Sequence, residues 1–216
     1  MSAIAQVARA RALRLLVITA LEVADEARTC DAIDAALSAV PRGASAIGLR
    51  DHGASAATRV RLGRRLRSIA DRWGAALLVH DRVDVALTIR ADGVHLGARS
   101  ISIAEARALL SPDALIGCSC HDEAELARAA AGGADYATLS PLFFSAGKGE
   151  PLGEARFSLL RGTQPAMHVL ALGGIDAAGA MAARRAGADG VAVIRGVLAA
   201  QDPRREARAL VSPFEQ

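Results

Sequence analysis

Short, continuous apolar runs recur along the chain at roughly 20-to-30-residue intervals, at 13–19, 46–49, 76–79, 93–96, 115–118, 136–139, 169–172 and 191–194. None shows the apolar–polar alternation of a strand with one wet face, so each reads as a strand buried on both sides. Between most of them lie Ala-, Leu- and Arg-rich segments with helical periodicity, at 30–40, 56–72, 123–131 and 177–186. Short polar side chains predict four helix openings: Asp81 before 82–89, Ser102 before 103–110, His121-Asp122 before 123–131 and Asp176 before 177–186. Eight buried strands alternating with helices predict an α/β fold closed as a (β/α)8 TIM barrel. A doubly wound open sheet is the other arrangement, but no Gly-x-Gly-x-x-Gly turn follows any strand. No linker or low-complexity break interrupts the 216 residues, so 1–216 reads as one barrel domain.

Composition changes this picture in two places. Hydrophobic residues make up 52% of the chain and aromatics only 3%, so the core must be built from Ala, Val, Leu and Ile. The net charge of +3 is carried by Arg residues spread along helices (Arg59, Arg61, Arg64, Arg65, Arg67, Arg184, Arg185) with no interleaved aromatics. They read as solvated helix faces, and no nucleic-acid partner is expected. Cys30, Cys118 and Cys120 give no disulfide framework. Cys118 and Cys120 lie two apart on one predicted strand and point the same way, which suits a reduced, cytoplasmic protein. The run 15–21 is too short to span a membrane and is followed at once by Glu22 and Asp25, so it is expected to be the first strand, with no signal peptide and no membrane partner.

In a barrel of this kind the chemistry sits on the loops that follow each strand. There the sequence places Arg50-Asp51-His52, His80-Asp81-Arg82, His95-Leu96-Gly97, Ser119-Cys120-His121, the long loop with Ser145, Lys148 and Glu150, Gly173-Gly174, and Ile194-Arg195-Gly196. Gly173-Gly174 with Gly196 suits a phosphate, since glycines let backbone N–H groups approach an anion. It equally suits a tight turn that needs positive φ. Asp81 at a strand end suits either a Mg²⁺ ligand or a helix cap. Arg50 suits a bidentate grip on phosphate or an ion pair with Asp51 or Asp84. His80, His95 and His121 suit bases or hydrogen-bonded structural groups, and their spacing matches no zinc pattern. Lys148 is the one lysine among 26 basic residues. It lies in a Gly-Lys-Gly tip long enough to close over a ligand, where a compact ammonium differs from a planar guanidinium; a surface loop is the plainer reading.

The segments 81–87 (Asp-Arg-Val-Asp-Val-Ala-Leu), 91–97 (Ala-Asp-Gly-Val-His-Leu-Gly), 133–136 (Gly-Ala-Asp-Tyr), 171–175 (Ala-Leu-Gly-Gly-Ile) and 186–193 (Ala-Gly-Ala-Asp-Gly-Val-Ala-Val) together resemble the thiamine phosphate synthase family and its thiazole tautomerase-like branch, over about residues 13–200. The resemblance implies the same barrel and a transferase of thiamine biosynthesis. Its substrate, hydroxymethylpyrimidine diphosphate, loses diphosphate with Mg²⁺ assistance, and the nitrogen of a thiazole phosphate captures the pyrimidine methyl cation. It further implies Lys148, Ser145 and Arg50 on the diphosphate, Ser119 near the pyrimidine, Asp81 on Mg²⁺, and Gly173, Gly174, Ile194 and Arg195 around the thiazole phosphate. The partners would be small phosphorylated substrates, with a homodimer as an admissible assembly.

The chain departs from the family pattern at the site. The second-strand Gln-x-Arg-x-Lys is here Gly48-Leu-Arg50-Asp-His52, the Asn before the metal Asp is His80, and Ser100 stands at the second Mg²⁺ carboxylate. His52 and His80 are thereby left as the substrate-facing groups, and the Mg²⁺ site is weakened. The loss of one carboxylate and one ammonium is expected to exceed about a hundredfold in rate. Ser100 and the altered second strand lean toward the tautomerase-like branch, but Pro141 stands where that branch carries its catalytic His. A thiazole tautomerase-like enzyme and a non-catalytic thiazole-phosphate-binding or regulatory protein remain the alternatives. Asp81, Arg50 and Lys148 reaching one cavity would favour the synthase.

Overall fold

The computed structural model describes residues 3–145 and 147–215. Among them eight parallel strands, β1 Leu15–Ile18, β2 Ser45–Leu49, β3 Ala76–His80, β4 Gly93–Leu96, β5 Leu115–Cys120, β6 Tyr136–Leu139, β7 Val169–Leu172 and β8 Gly190–Val193, close into a barrel in chain order, with β8 pairing back onto β1. The predicted TIM barrel is therefore the fold, and the strands at 93–96, 136–139 and 169–172 have the predicted bounds. Around it run α1 Ala3–Ala12, α2 Glu26–Leu37, α3 Ala56–Trp73, α4 Val83–Thr88, α5 Ile103–Leu109, α6 Glu123–Ala131, α7 Gly153–Thr163, α8 Ala177–Arg185, α9 Arg195–Leu198 and α10 Pro203–Val211.

The predicted caps hold at three of four places. Ser102 and Glu105 form a reciprocal capping box on α5, and Asp122 and Asp176 accept from Glu125 N–H and Gly179 N–H. Asp81 caps nothing: α4 begins two residues later, after Arg82, with no side-chain cap. The pattern also passes over α1, which closes the bottom of the barrel. Its Ala10 packs, with Leu13 just beyond it, into the interior layer of Leu16, Leu78, Leu115 and Tyr136. Gln6 Nε2 donates to Ala114 O at 2.9 Å.

The bottom rim repeats one device. Asp92, Asp135 and Asp189, each just before an even-numbered strand or within one residue of it, accept a backbone N–H from the preceding odd strand: Leu77 at 2.8 Å, Ile116 at 2.7 Å and Val169 at 2.8 Å. Each also takes a guanidinium from a helix, Arg67, Arg107 or Arg161, and Asp92 takes Arg9 as well. The sequence pattern places Arg67 on a solvated helix face. It is instead part of the barrel floor, because the carboxylate it serves would otherwise be buried with its charge unbalanced. The motifs at 91–97, 133–136 and 186–193 thus report scaffold at this end.

Burial works to raise the Asp92 carboxyl, but the Leu77 N–H, Arg67 and Arg9 outweigh it and hold it below its ordinary 3.8. A lowered folded-state pKa contributes stability that is fully present above 3.8 and is lost as pH falls through the folded value. Asp92→Ala is expected to cost about 2 kcal/mol at neutral pH, read as a lower urea midpoint. The gap to wild type should close as the titration is taken into acid.

Candidate active site

At the C-terminal end of the barrel a cavity of about 550 Å³ opens between the loops after β2, β6, β7 and β8. It gathers eight loop residues singled out from sequence: Arg50, Ser145, Lys148, Gly173, Gly174, Ile194, Arg195 and Gly196. Val23, Leu172, Ile175 and Val193 add apolar walls, and Glu22 and Phe144 stand at its edge. Cavities of about 640 and 680 Å³ lie by Arg204 and by Leu159, on outer helix faces away from the strand ends.

Arg50 is positioned by its own backbone. Its N–H donates to Thr19 Oγ1, Thr19 donates to the buried Asp51 carboxylate, and that carboxylate also accepts from Leu21 N–H. Asp51 is therefore occupied, and Asp84 is held by Arg82, so neither pairs with Arg50. The nearest anion is the exposed Glu22 at 3.5 Å, and the buried Arg50 Nε has no partner among the described residues. A buried guanidinium N–H left unbonded is costly unless a ligand completes it.

The tight-turn reading of the double glycine holds. Gly173 and Gly174 have φ of 106° and 63°. A Cβ on Gly174 would stand 2.5 Å from Phe144 O, so the turn and the overlying loop both exclude a side chain. The helix that follows does not offer its N-terminus, because Asp176 caps it. After β8 the short α9 has no side-chain cap.

Asp81, His52, His80 and Ser119 do not line this cavity. They form a polar strip from which Ser119 lines a separate cavity of about 530 Å³ with Gly97 and Ser100. Asp81 has φ of 62°, a left-handed conformation uncommon outside glycine. It turns its carboxylate away from α4, so that Oδ1 accepts from Gly97 N–H at 3.2 Å and from Ser100 Oγ. Asp81 Oδ2 faces His52 Nδ1 at 3.8 Å.

Inside the barrel mouth His95 is buried, with Nδ1 2.8 Å from Tyr136 Oη and Nε2 2.9 Å from Ser119 Oγ. Thr138 Oγ1 lies 3.4 Å from the same Nε2. Burial pulls the His95 imidazole down to about 4 against the opposing pull of Asp81, and burial pushes Tyr136 well up. His95 is thus a neutral, hydrogen-bonded group at neutral pH. His121 sits outside the strip, bonded to Glu125 Oε2 at 2.9 Å.

His80 stacks on His95 at 4.5 Å between ring centroids. A Cβ on Gly48 would stand 2.8 Å from His80 Nε2, so the glycine at 48 makes room for the imidazole at 80. Gly48 and His80 are therefore coupled through packing. Burial first, then His95, Arg50 and His52, hold His80 well below 6.5. Its buried Nε2 has no partner among the described residues.

Burial raises the thiols of Cys118 and Cys120 to about 11 and about 12, which leaves them protonated and poor nucleophiles. Sequence reasoning missed Phe144, Glu22 and the His95–Tyr136 pair. Tyr136 is the chain's one tyrosine, and Phe144 is one of four phenylalanines, so scarcity was the available signal.

The thiamine monophosphate synthase family model matches residues 15–197, from β1 to α9. A putative thiamine-phosphate synthase of Geobacter sulfurreducens is 44% identical over 179 residues, covering 81% of this chain and 83% of that protein. The thiamine-phosphate synthase of Thioalkalivibrio sulfidiphilus is 42% identical over 178 residues, 80% of this chain and 83% of that one. Among solved structures, thiamine phosphate pyrophosphorylase from Pyrococcus furiosus superposes with a TM-score of 0.84 at 30% identity, over 95% of this chain and 97% of that one. With the fold, the strand-end cavity and the family span in agreement, the chain belongs to the thiamine monophosphate synthase family.

Proposed function

We propose that this barrel is a thiamine phosphate synthase, joining hydroxymethylpyrimidine diphosphate to a thiazole phosphate with release of diphosphate. The observation that carries the reading is the convergence of Arg50 and Lys148, from loops 98 residues apart (148 − 50), on one cavity with the Gly173–Gly174 turn and Arg195. Two cations at one end suit a departing diphosphate, and the glycine turn, the uncapped α9 and Arg195 suit a phosphate monoester at the other. The apolar walls between them suit two heterocycles. The chemistry asked of the protein is positioning and charge stabilisation.

Asp81 does not line the cavity, so two of the three expected groups meet there. One Asp81 oxygen is held by Ser100 and Gly97 and the other stands 3.8 Å from His52 Nδ1, so Asp81 is the carboxylate that would hold Mg²⁺. When bound, Mg²⁺ would neutralise charge on the leaving group. Ser100 fixes the Asp81 rotamer where the family carries a second carboxylate. His80 and the Ser119–His95 pair lie outside this cavity, with His80 Nε2 buried, and exposed His52 stands by Asp81. The tautomerase-like reading lacks its base, since Pro141 holds that place. No helix among the described residues is long and apolar enough to cross a membrane, and the buried free thiols suit a cytoplasmic setting.

The test is direct. Purified protein with pyrimidine diphosphate, thiazole phosphate and Mg²⁺ is expected to form thiamine phosphate. Absence of product above the protein-free background, while thiazole phosphate still binds, would leave only the binding-protein alternative.

A further inference from the structure

The loop after β6 carries two phenylalanines with opposite fates. Phe143 is the anchor: its N–H donates to Gly173 O at 3.1 Å, and its ring packs against Gly179 of α8, where a Cβ would stand 3.1 Å from Cε2. Phe144 is displayed. It leaves 79% of its surface in water, more than any other large apolar residue described. A phenyl ring gains by leaving water, and no described residue covers this one. It lines the cavity that holds Arg50 and Lys148, together with Ser145, Val23, Ile175 and Ile194. Phe143 fixes the backbone, so only the two side-chain torsions of Phe144 are needed to carry its ring across the mouth.

Resting on the synthase reading, we propose that Phe144 closes over the reacting rings and decides what captures the pyrimidine methyl cation. In the step concerned the C–O bond to diphosphate breaks and its electron pair leaves with the diphosphate. The CH₂ cation then has two acceptable donors. The thiazole nitrogen lone pair forms the C–N bond of the product. A water oxygen forms a C–O bond instead, sheds a proton to solvent and gives the pyrimidine alcohol. Nothing is oxidised or reduced on either path. An aromatic ring over the mouth excludes the competing water and presents a π face to the cation. The electrostatic groups at the two phosphate ends do neither.

The discriminating quantity is thiamine phosphate formed per diphosphate released, with the pyrimidine alcohol measured alongside. Wild type is expected to give close to one product per diphosphate. Phe144→Ala is expected to raise the alcohol share on the order of tenfold, and Phe144→Trp to restore the wild-type ratio. An unchanged ratio in folded Phe144→Ala overturns the proposal and leaves the synthase reading intact. If wild type forms no thiamine phosphate, the synthase reading fails by itself and closure is tested separately by fluorescence. Trp73 of α3 is the chain's one native tryptophan, its Nε1 bonded to Asp34, and wild type supplies its background. Phe144→Trp is expected to shift its added emission to the blue on addition of pyrimidine diphosphate, and no shift overturns the closure.

Discussion

Lys148→Ala is expected to lower kcat/KM for the pyrimidine diphosphate by about 100-fold, with the loss concentrated in kcat. The ammonium is asked to stabilise charge that develops on the leaving diphosphate, and an interaction made mainly in the transition state is lost from kcat. Its side chain is exposed and its one backbone donation, N–H to Ser145 O, survives truncation to Ala. Thermal midpoints and circular dichroism should therefore match wild type. Lys148→Arg is expected to recover only part of the rate, because a planar fork cannot follow the rotating oxygens of a leaving diphosphate as a three-donor ammonium does. The second strand brings His52 where the family carries its lysine, and His52 faces Asp81, so no second ammonium stands in reserve. A wild-type rate in Lys148→Ala would remove this loop from the mechanism and leave the family membership untouched.

Much of the barrel was legible because its strands are buried on both faces. A run such as Val169–Leu172 between a polar loop and Gly173-Gly174 has one physical reading, and the structure gives it those bounds. Helices with weak contrast were harder. The pattern passes over α7, which opens on Gly153 with no side-chain cap, and α10, although Asp202-Pro203 is an N-cap followed by a favourable first residue. At the site, what could be read was chemistry carried by one short segment: the Gly-Lys-Gly tip, the double glycine, Arg50. What could not be read were relations across the barrel. Gly48 and His80 look like two separate departures in the chain, yet in space a Cβ at 48 would collide with the imidazole at 80. Asp81 looks like a cap because the rule for caps assumes extended backbone, whereas its φ of 62° aims the carboxylate at Gly97 and Ser100. His95 becomes structural only when Tyr136 and Ser119, from two neighbouring strands, arrive on its two nitrogens.

Gly93→Ala is expected to be the most damaging single methyl in the barrel. Gly93 opens β4 and stands opposite Leu115 of β5 in the register. A Cβ there would lie 1.9 Å from Leu115 O and 2.7 Å from its C and N atoms. These are backbone atoms inside a ladder, so relief requires shifting β5 rather than rotating a side chain. Overpacking a core typically costs 1 to 3 kcal/mol, roughly, and an immovable neighbour puts this site above that range, at about 4 kcal/mol. Against a total stability of roughly 5–15 kcal/mol that leaves a protein close to unfolding at its working temperature. Gly162→Ala supplies the control. Gly162 lies exposed in α7 without positive φ, and a Cβ there would meet nothing within 4 Å. The same substitution should stabilise by about 0.5–1 kcal/mol, because alanine gives up less backbone entropy than glycine on entering a helix. Opposite shifts in the urea midpoint from two chemically identical changes would show that Gly93, the first glycine of the 91–97 motif, is held by strand approach. A tolerated Gly93→Ala would mean that β4 and β5 stand further apart than this register allows.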